Sequence, residues 1–204
     1  MNELQIANAC SQIIATLAGL TNQVTDLRDL VCGGSEGWHF PVGSTKFPIE
    51  EWYCAQFHTY DPDANPAGHT GLDLNGDRHP WGDVDRDEPT FAIADGVVHD
   101  AGCSPGWVGV VVLRIEHNGL PLWVRYAHLD WQSVTVEPGD VVRAGDPLGV
   151  IGNYSKGDHL HFDMARDPFG WNYWRTRYVR WVDPVPVLKA HLSEAMIDAM
   201  LARG

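Results

Sequence analysis

The sequence predicts a mostly β domain of antiparallel strands with a helix at either end, and three observations predict it. Between about Trp38 and Val185, short β-branched and aromatic runs are punctuated by Gly, Pro, Asn and Asp, the texture of strands and tight turns. Within that stretch Val108–His117 returns as Leu120–Leu129 across Asn118-Gly119, a dipeptide suited to the positive backbone angles of a two-residue hairpin turn. The two ends lose this texture and space their apolar residues as helices do. A chain of 204 residues has room for one ordinary core and an appendage. The boundaries that follow are a helix over 1–33, a β domain over 34–187 and a terminal helix over 188–204.

In the first helix Ile6, Cys10, Ile13, Leu17, Leu20, Val24, Leu27 and Val31 fall at alternating intervals of four and three, a heptad seam. Two readings fit: a single helix packed on its own chain, or a coiled coil through which the protein forms a homo-oligomer. The positions flanking the seam lack the paired charges that often decorate coiled coils. Cys32-Gly33-Gly34-Ser35 ends the helix, because glycine supplies the left-handed conformation that closes one. Past the hairpin, Pro138-Gly139-Asp140 and Ala144-Gly145-Asp146 break short strands around Val141-Val142 and Leu148–Ile151. The terminal helix over Val187–Ala202 carries Leu188, Leu192, Ala195, Met196, Ala199 and Met200 as a stripe for packing on the body.

A net charge of −13 and a pI near 5.0 argue against nucleic acid as a partner and leave no polybasic patch for a membrane surface. No apolar run reaches the roughly 18 residues needed to span a bilayer. The start of the sequence has no Lys or Arg before its apolar stretch, so no signal peptide is expected there. Cys10, Cys32, Cys54 and Cys103 form no C-x-x-C pair, which argues against a zinc knuckle; a Cys54–Cys103 disulfide stays open.

Among ten histidines, a few come with companions. In Gly157-Asp158-His159-Leu160-His161-Phe162-Asp163 the two imidazoles are two residues apart, so a strand puts both on one face, with Asp163 beside them. His69 and Asp73 are four apart in a glycine-flanked segment, and both residue types ligate zinc. His128 ends the second hairpin strand, where strict alternation gives it the face of Val124 and Tyr126. His39, His58, His79, His99, His117 and His191 have no such companions and are read as structural.

Taken in order, H-x-x-x-D at His69–Asp73, Y-x-H-L at Tyr126–Leu129 and H-x-H at His159–His161 resemble the signature of the LytM/lysostaphin-type zinc metallopeptidases. Ala92–Val98, Val136–Gly152 and Val182-Asp183-Pro184 look like further parts of that family's domain. The resemblance covers about 150 residues and leaves out both terminal helices. It implies a barrel-sandwich β fold, Zn²⁺ bound by His69, Asp73 and His161 with a position left for water and substrate, and His128 and His159 as the catalytic couple that handles protons. It also implies peptide cross-links of bacterial peptidoglycan as substrate. Asp163 either orients an imidazole from behind or is a solvated strand-end carboxylate.

The chain departs from that pattern twice. Residues 74–88 are longer and more acidic than expected; without the ordered spacing of a calcium loop, they read as a solvated loop. Phe169–Trp181 mixes aromatic rings with arginines, either as core over the sheet or as a cleft wall. A wall enzyme with no leader is expected to reach its substrate as a phage lysin or a virion protein, from the host cytoplasm or the virion, with residues 1–33 as the anchor. The rival reading is a non-catalytic relative that binds or builds, and the complete set of five site residues speaks against it.

Overall fold

A computed structural model describes residues 37–43, 52–55, 69–76, 84–172 and 179–202. The heptad segment 1–33, residues 77–83 of the acidic stretch and residues 173–178 of the aromatic stretch lie outside them. The described chain is mostly β. Its strands are β1 (Tyr53–Ala55), β2 (Gly71–Asn75), β3 (Pro89–Phe91), β4 (Gly96–Ser104), β5 (Val108–His117), β6 (Leu120–Leu129), β7 (Val141–Val142), β8 (Pro147–Val150), β9 (Leu160–Ala165) and β10 (Trp181–Val182).

Among the described residues, the larger sheet runs β1-β2-β9-β6-β5-β4-β7, with β10 also on β9, and β3 pairs β8 separately. Every pairing is antiparallel. The hairpin forms as the sequence predicts: Asn118 and Gly119 take φ of 56° and 71°, and β5 and β6 flank them.

Alternation sorts the central strands into two cores. Leu72, Leu74, Leu113, Val124, Tyr126, Leu160, Phe162 and Met164 point to one face, where Val187, Leu188, Ile197 and Met200 from the C-terminal end join the same core. Val110, Val112, Trp123, Ala127 and Ala165 point to the other, under Phe169 and Val179. Because β9 is covered on both faces, all six of its residues are buried. The polar members of this second face are therefore costly to place, and they are the ones that build the site.

The C-terminal stripe folds as two short helices and not one. They are α1 (Pro184–His191) and α2 (Glu194–Leu201), separated by an extended Leu192. Local capping makes the break: Ser193 Oγ accepts from Met196 N at 3.4 Å, as Asp183 accepts from Val185 N at 2.8 Å ahead of α1. The break lets Leu188, Leu192, Ile197 and Met200 all enter the main core. Cys103 is free, and four strands separate β4 from the β1 strand of Cys54, so the disulfide left open by the sequence is not formed.

Two of the companionless histidines lock α1 to the hairpin tip. Trp38 stacks on His191 at 3.9 Å, His191 meets His117 edge-on at 5.3 Å, and Arg166 Nη2 donates to His117 Nδ1 at 3.1 Å. Burial depresses both pKa values, and at His117 the Arg166 charge and His191 depress it further. With folded values below the ordinary 6.5, the unfolded chain binds more protons as pH falls. This stabilisation is full above about 6.5 and is lost as pH drops through the folded values. The thermal midpoint is expected to fall between about pH 7.5 and 5, and His117→Gln with His191→Gln to flatten that slope. An unchanged slope would place the acid sensitivity elsewhere.

Candidate active site

The site is assembled on β9 and its two neighbours. Asp73 of β2 and His161 of β9 are direct cross-strand partners, so the pairing register alone brings a carboxylate and an imidazole together on the polar face. His69, four residues before Asp73, completes the group. His69 Nε2 lies 2.9 Å from Asp73 Oδ1 and 3.0 Å from His161 Nδ1, and His161 Nδ1 lies 3.0 Å from Asp73 Oδ1. Two imidazole nitrogens and a carboxylate oxygen thus converge on one point, a group that could hold a metal ion. Burial opposes ionisation of Asp73, but the imidazoles of His159, His161 and His69 gathered around it outweigh that and hold the carboxyl well below its usual range.

Gly71 makes that convergence possible. A Cβ there would stand 2.2 Å from the Phe162 carbonyl oxygen and 2.4 Å from Asp163 Cβ, so only glycine lets β2 lie this close to β9.

His159 and His128 complete the wall. His159 Nδ1 donates to the Gly157 carbonyl at 2.9 Å, and its Nε2 faces Asp73 Oδ1 at 3.3 Å. His128 Nδ1 donates to the Trp107 carbonyl at 3.2 Å, while its ring lies flat on Tyr154 at 3.7 Å and edge-on to His159 at 4.7 Å. Each imidazole is thus tied to a backbone carbonyl through Nδ1. Burial first, then the neighbouring His159 and His161, push the His128 pKa well below the ordinary value, so it is held neutral.

The face predicted for His128 is corrected. Alternation would put it with Val124 and Tyr126 in the main core, but β5 and β6 shift register between Gly109 and Val110, and His128 is the extra residue. It takes φ of 69°, an unusual conformation for a side-chain-bearing residue, costing about 1–3 kcal/mol. The bulge turns the imidazole to the opposite face, into the site. Trp107 O accepts from His128 N at 3.0 Å and Gly152 N donates to His128 O at 2.8 Å, which hold the bulge in place.

Of the two readings left open for Asp163 one fails, and the expectation for the acidic stretch changes. Asp163 is not a solvated strand-end carboxylate: it is completely buried and accepts from His161 Nε2 at 3.0 Å. The described end of the acidic stretch is not a solvated loop either, since Asp85 and Glu88 are buried. Burial pushes Asp85 up to about 6, and Arg86 Nε donates to Asp158 Oδ2 at 2.8 Å. Asp158 Oδ1 in turn accepts from Tyr154 N at 2.8 Å, which fixes the turn leading into His159. In the aromatic stretch, Phe169 and Trp181 pack as core while Asn172 reaches the cleft.

All five histidine and aspartate residues singled out from the sequence line one open cleft of about 1070 Å³. Trp107, Tyr154 and Lys156 line it as well, and nothing in their spacing marked them. Arg125, fully buried behind Asp163, did carry a signal: it is the lone charge in the apolar run Leu120–Leu129.

The sequence pattern of peptidase family M23 matches residues 67–172, just over half of the chain, and every one of these site residues lies inside it. The chain belongs to peptidase family M23. Lysostaphin in its solution structure is 27% identical, with a TM-score of 0.51, over 70% of this chain and 52% of that one. The catalytic domain of the antimicrobial peptidase lysostaphin from Staphylococcus simulans is 28% identical, with a TM-score of 0.50, over 69% of this chain and 95% of that one. A LytM-type protein of Ruminococcus gnavus shares the fold at 22% identity and a TM-score of 0.52, over 81% of this chain and 62% of that one. The matched part thus spans about half of the whole lysostaphin chain. No curated protein matches the chain significantly.

Gly71→Ala is expected to cost about 1–3 kcal/mol of stability, because the strands must part to admit the methyl group. Chemical denaturation measures it, and a neutral result would show that β2 can move away from β9 without loss.

Proposed function

We propose that the chain is a zinc-dependent endopeptidase that cuts peptide cross-links of bacterial peptidoglycan. The observation that carries the reading is the triangle of His69 Nε2, Asp73 Oδ1 and His161 Nδ1, with edges of 2.9, 3.0 and 3.0 Å, on the wall of an open cleft. Donors around a tetrahedral zinc at about 2.0–2.1 Å stand about 3.3 Å apart, so a small outward movement of three side chains fits the ion. Two imidazoles and one carboxylate also form a donor set of the catalytic kind, which keeps a position for water or substrate. Zinc held there supplies Lewis acidity toward a peptide carbonyl and the attacking water.

The remaining work falls to the chain. His128, kept neutral by burial, is ready to accept a proton at Nε2, and its conjugate acid can return one to the departing amine. His159 stands beside it with Nε2 also directed at the reacting region. The two act as a couple, within reach of the same proton. The turn fixed by Asp158 sets the position of His159, and the Trp107 carbonyl sets that of His128. The cleft leaves room for an extended peptide, and the family to which lysostaphin belongs makes a cross-link the favoured one.

Mass spectrometry of purified cross-linked peptidoglycan, incubated with the zinc-loaded protein, tests the reading. New amino and carboxyl ends are expected, and their masses identify the bond. His159→Ala and His128→Ala are expected to keep zinc and lose roughly 10²–10⁴-fold in kcat. His69→Ala is expected to lose the metal. Cross-links that survive in both glycine-bridged and directly linked walls, with zinc bound, would overturn the peptidase reading.

A further inference from the structure

Behind the cleft the chain buries a charged pair that no reacting atom touches. Arg125 of β6 and Asp163 of β9 are cross-strand partners, and both are completely enclosed. Arg125 Nε donates to Asp163 Oδ1 at 3.1 Å while Nη2 donates to Oδ2, a two-pronged fork. Thr70 Oγ1 donates to Oδ2 at 2.6 Å, and His161 Nε2 donates to the same oxygen at 3.0 Å. The Arg125 guanidinium also lies 4.2 Å from the centre of the Trp107 ring, with Phe169 and Trp181 at 5.2 and 5.4 Å. Trp107 is the residue whose carbonyl holds His128.

Stability alone does not call for this pair, since apolar residues of similar volume usually serve a core as well or better. Trp123 and Ala127, on the same face of the same strand, are apolar. What the pair does have is a connection to each half of the site. An imidazole exists as two tautomers, and His161 presents a lone pair at Nδ1 only when the proton sits on Nε2. A carboxylate that accepts from Nε2 selects that tautomer and fixes the ring angle. The carboxylate must itself be held still, and the fork of Arg125 does so in a geometry that lysine cannot copy.

We infer that Arg125 and Asp163 are positioning residues for both halves of the site: Asp163 orients His161, and Arg125 holds Asp163 together with the Trp107 that anchors His128. The inference rests on reading His161 as a zinc ligand. It assigns a role to Arg125, which no motif marks, and makes Thr70 the second clamp on the carboxylate.

The test compares wild-type protein with the double variant R125M/D163L, which removes both charges at similar volume, and with D163N alone. Zinc affinity is measured by competition with a chromophoric chelator, the environment of bound cobalt by its visible spectrum, and turnover on peptidoglycan fragments as kcat and KM. The double variant is expected to keep its thermal midpoint, bind zinc ten- to hundred-fold more weakly, and lose kcat with KM little changed. D163N, expected to show the same loss of affinity, decides the matter if the double variant does not fold. Wild-type zinc affinity and cobalt spectrum in a folded variant would overturn the positioning role. A wild-type protein that takes up no zinc would instead overturn the metal reading and this inference with it.

Discussion

The pairing register of β2 against β9 is the constraint on which the site depends. Asp73 stands opposite His161 and Gly71 opposite Asp163, so a slip of one residue would turn the polar face of one strand into the core. Register is enforced from the other side of the sheet, where Leu72, Leu74, Leu160, Phe162 and Met164 fill a core that accepts them in one arrangement. Hydrophobic burial, at about 1.5–3 kcal/mol for each large side chain, thereby fixes the position of polar groups that repel or desolvate one another. The site is held together by the face that does not belong to it.

That polar face carries its own cost. A buried charge with no partner costs about 3–5 kcal/mol, a large share of a small domain's total stability. The chain offsets this by pairing: Asp163 meets Arg125, Thr70 and His161, and Asp158 meets Arg86 and the Tyr154 amide. One network lies behind His161 within β9, and the other fixes the turn ahead of His159. The two histidines of the H-x-H motif, alike in sequence, are therefore held differently: one is tied by a carboxylate and the other by a backbone carbonyl.

A second device is geometric. The bulge at His128 stores backbone strain in a residue that the proposed chemistry uses, and two backbone hydrogen bonds, to Trp107 and from Gly152, with a third from the imidazole to the Trp107 carbonyl, hold it there. A regular strand would have buried this imidazole among Val124 and Tyr126, where it could meet neither His159 nor a substrate. One extra residue in a ten-residue strand moves a functional group across the sheet.

The sequence by itself determined what local periodicity can encode. The hairpin and its turn, the shared face of His159 and His161, and the grouping of His69 with Asp73 all follow from a two-residue repeat or from glycine's backbone freedom, and the ordered motifs pointed to the family. The tertiary structure alone decided what depends on a neighbouring strand. The bulge that redirects His128 arises from a register shift against β5; the burial of Asp85 and Asp163 comes from elements packed over them. The sequence predicts a single helix over Val187–Ala202, and the break between α1 and α2, capped by Ser193, appears only in the fold, where it brings Leu192 and Ile197 into the core. Arg125 and Asp163 are 38 residues apart, and no spacing rule joins them. Their meeting is set by strand order, a property of the folded chain, because the cost of a buried charge is known only once the surroundings that bury it exist.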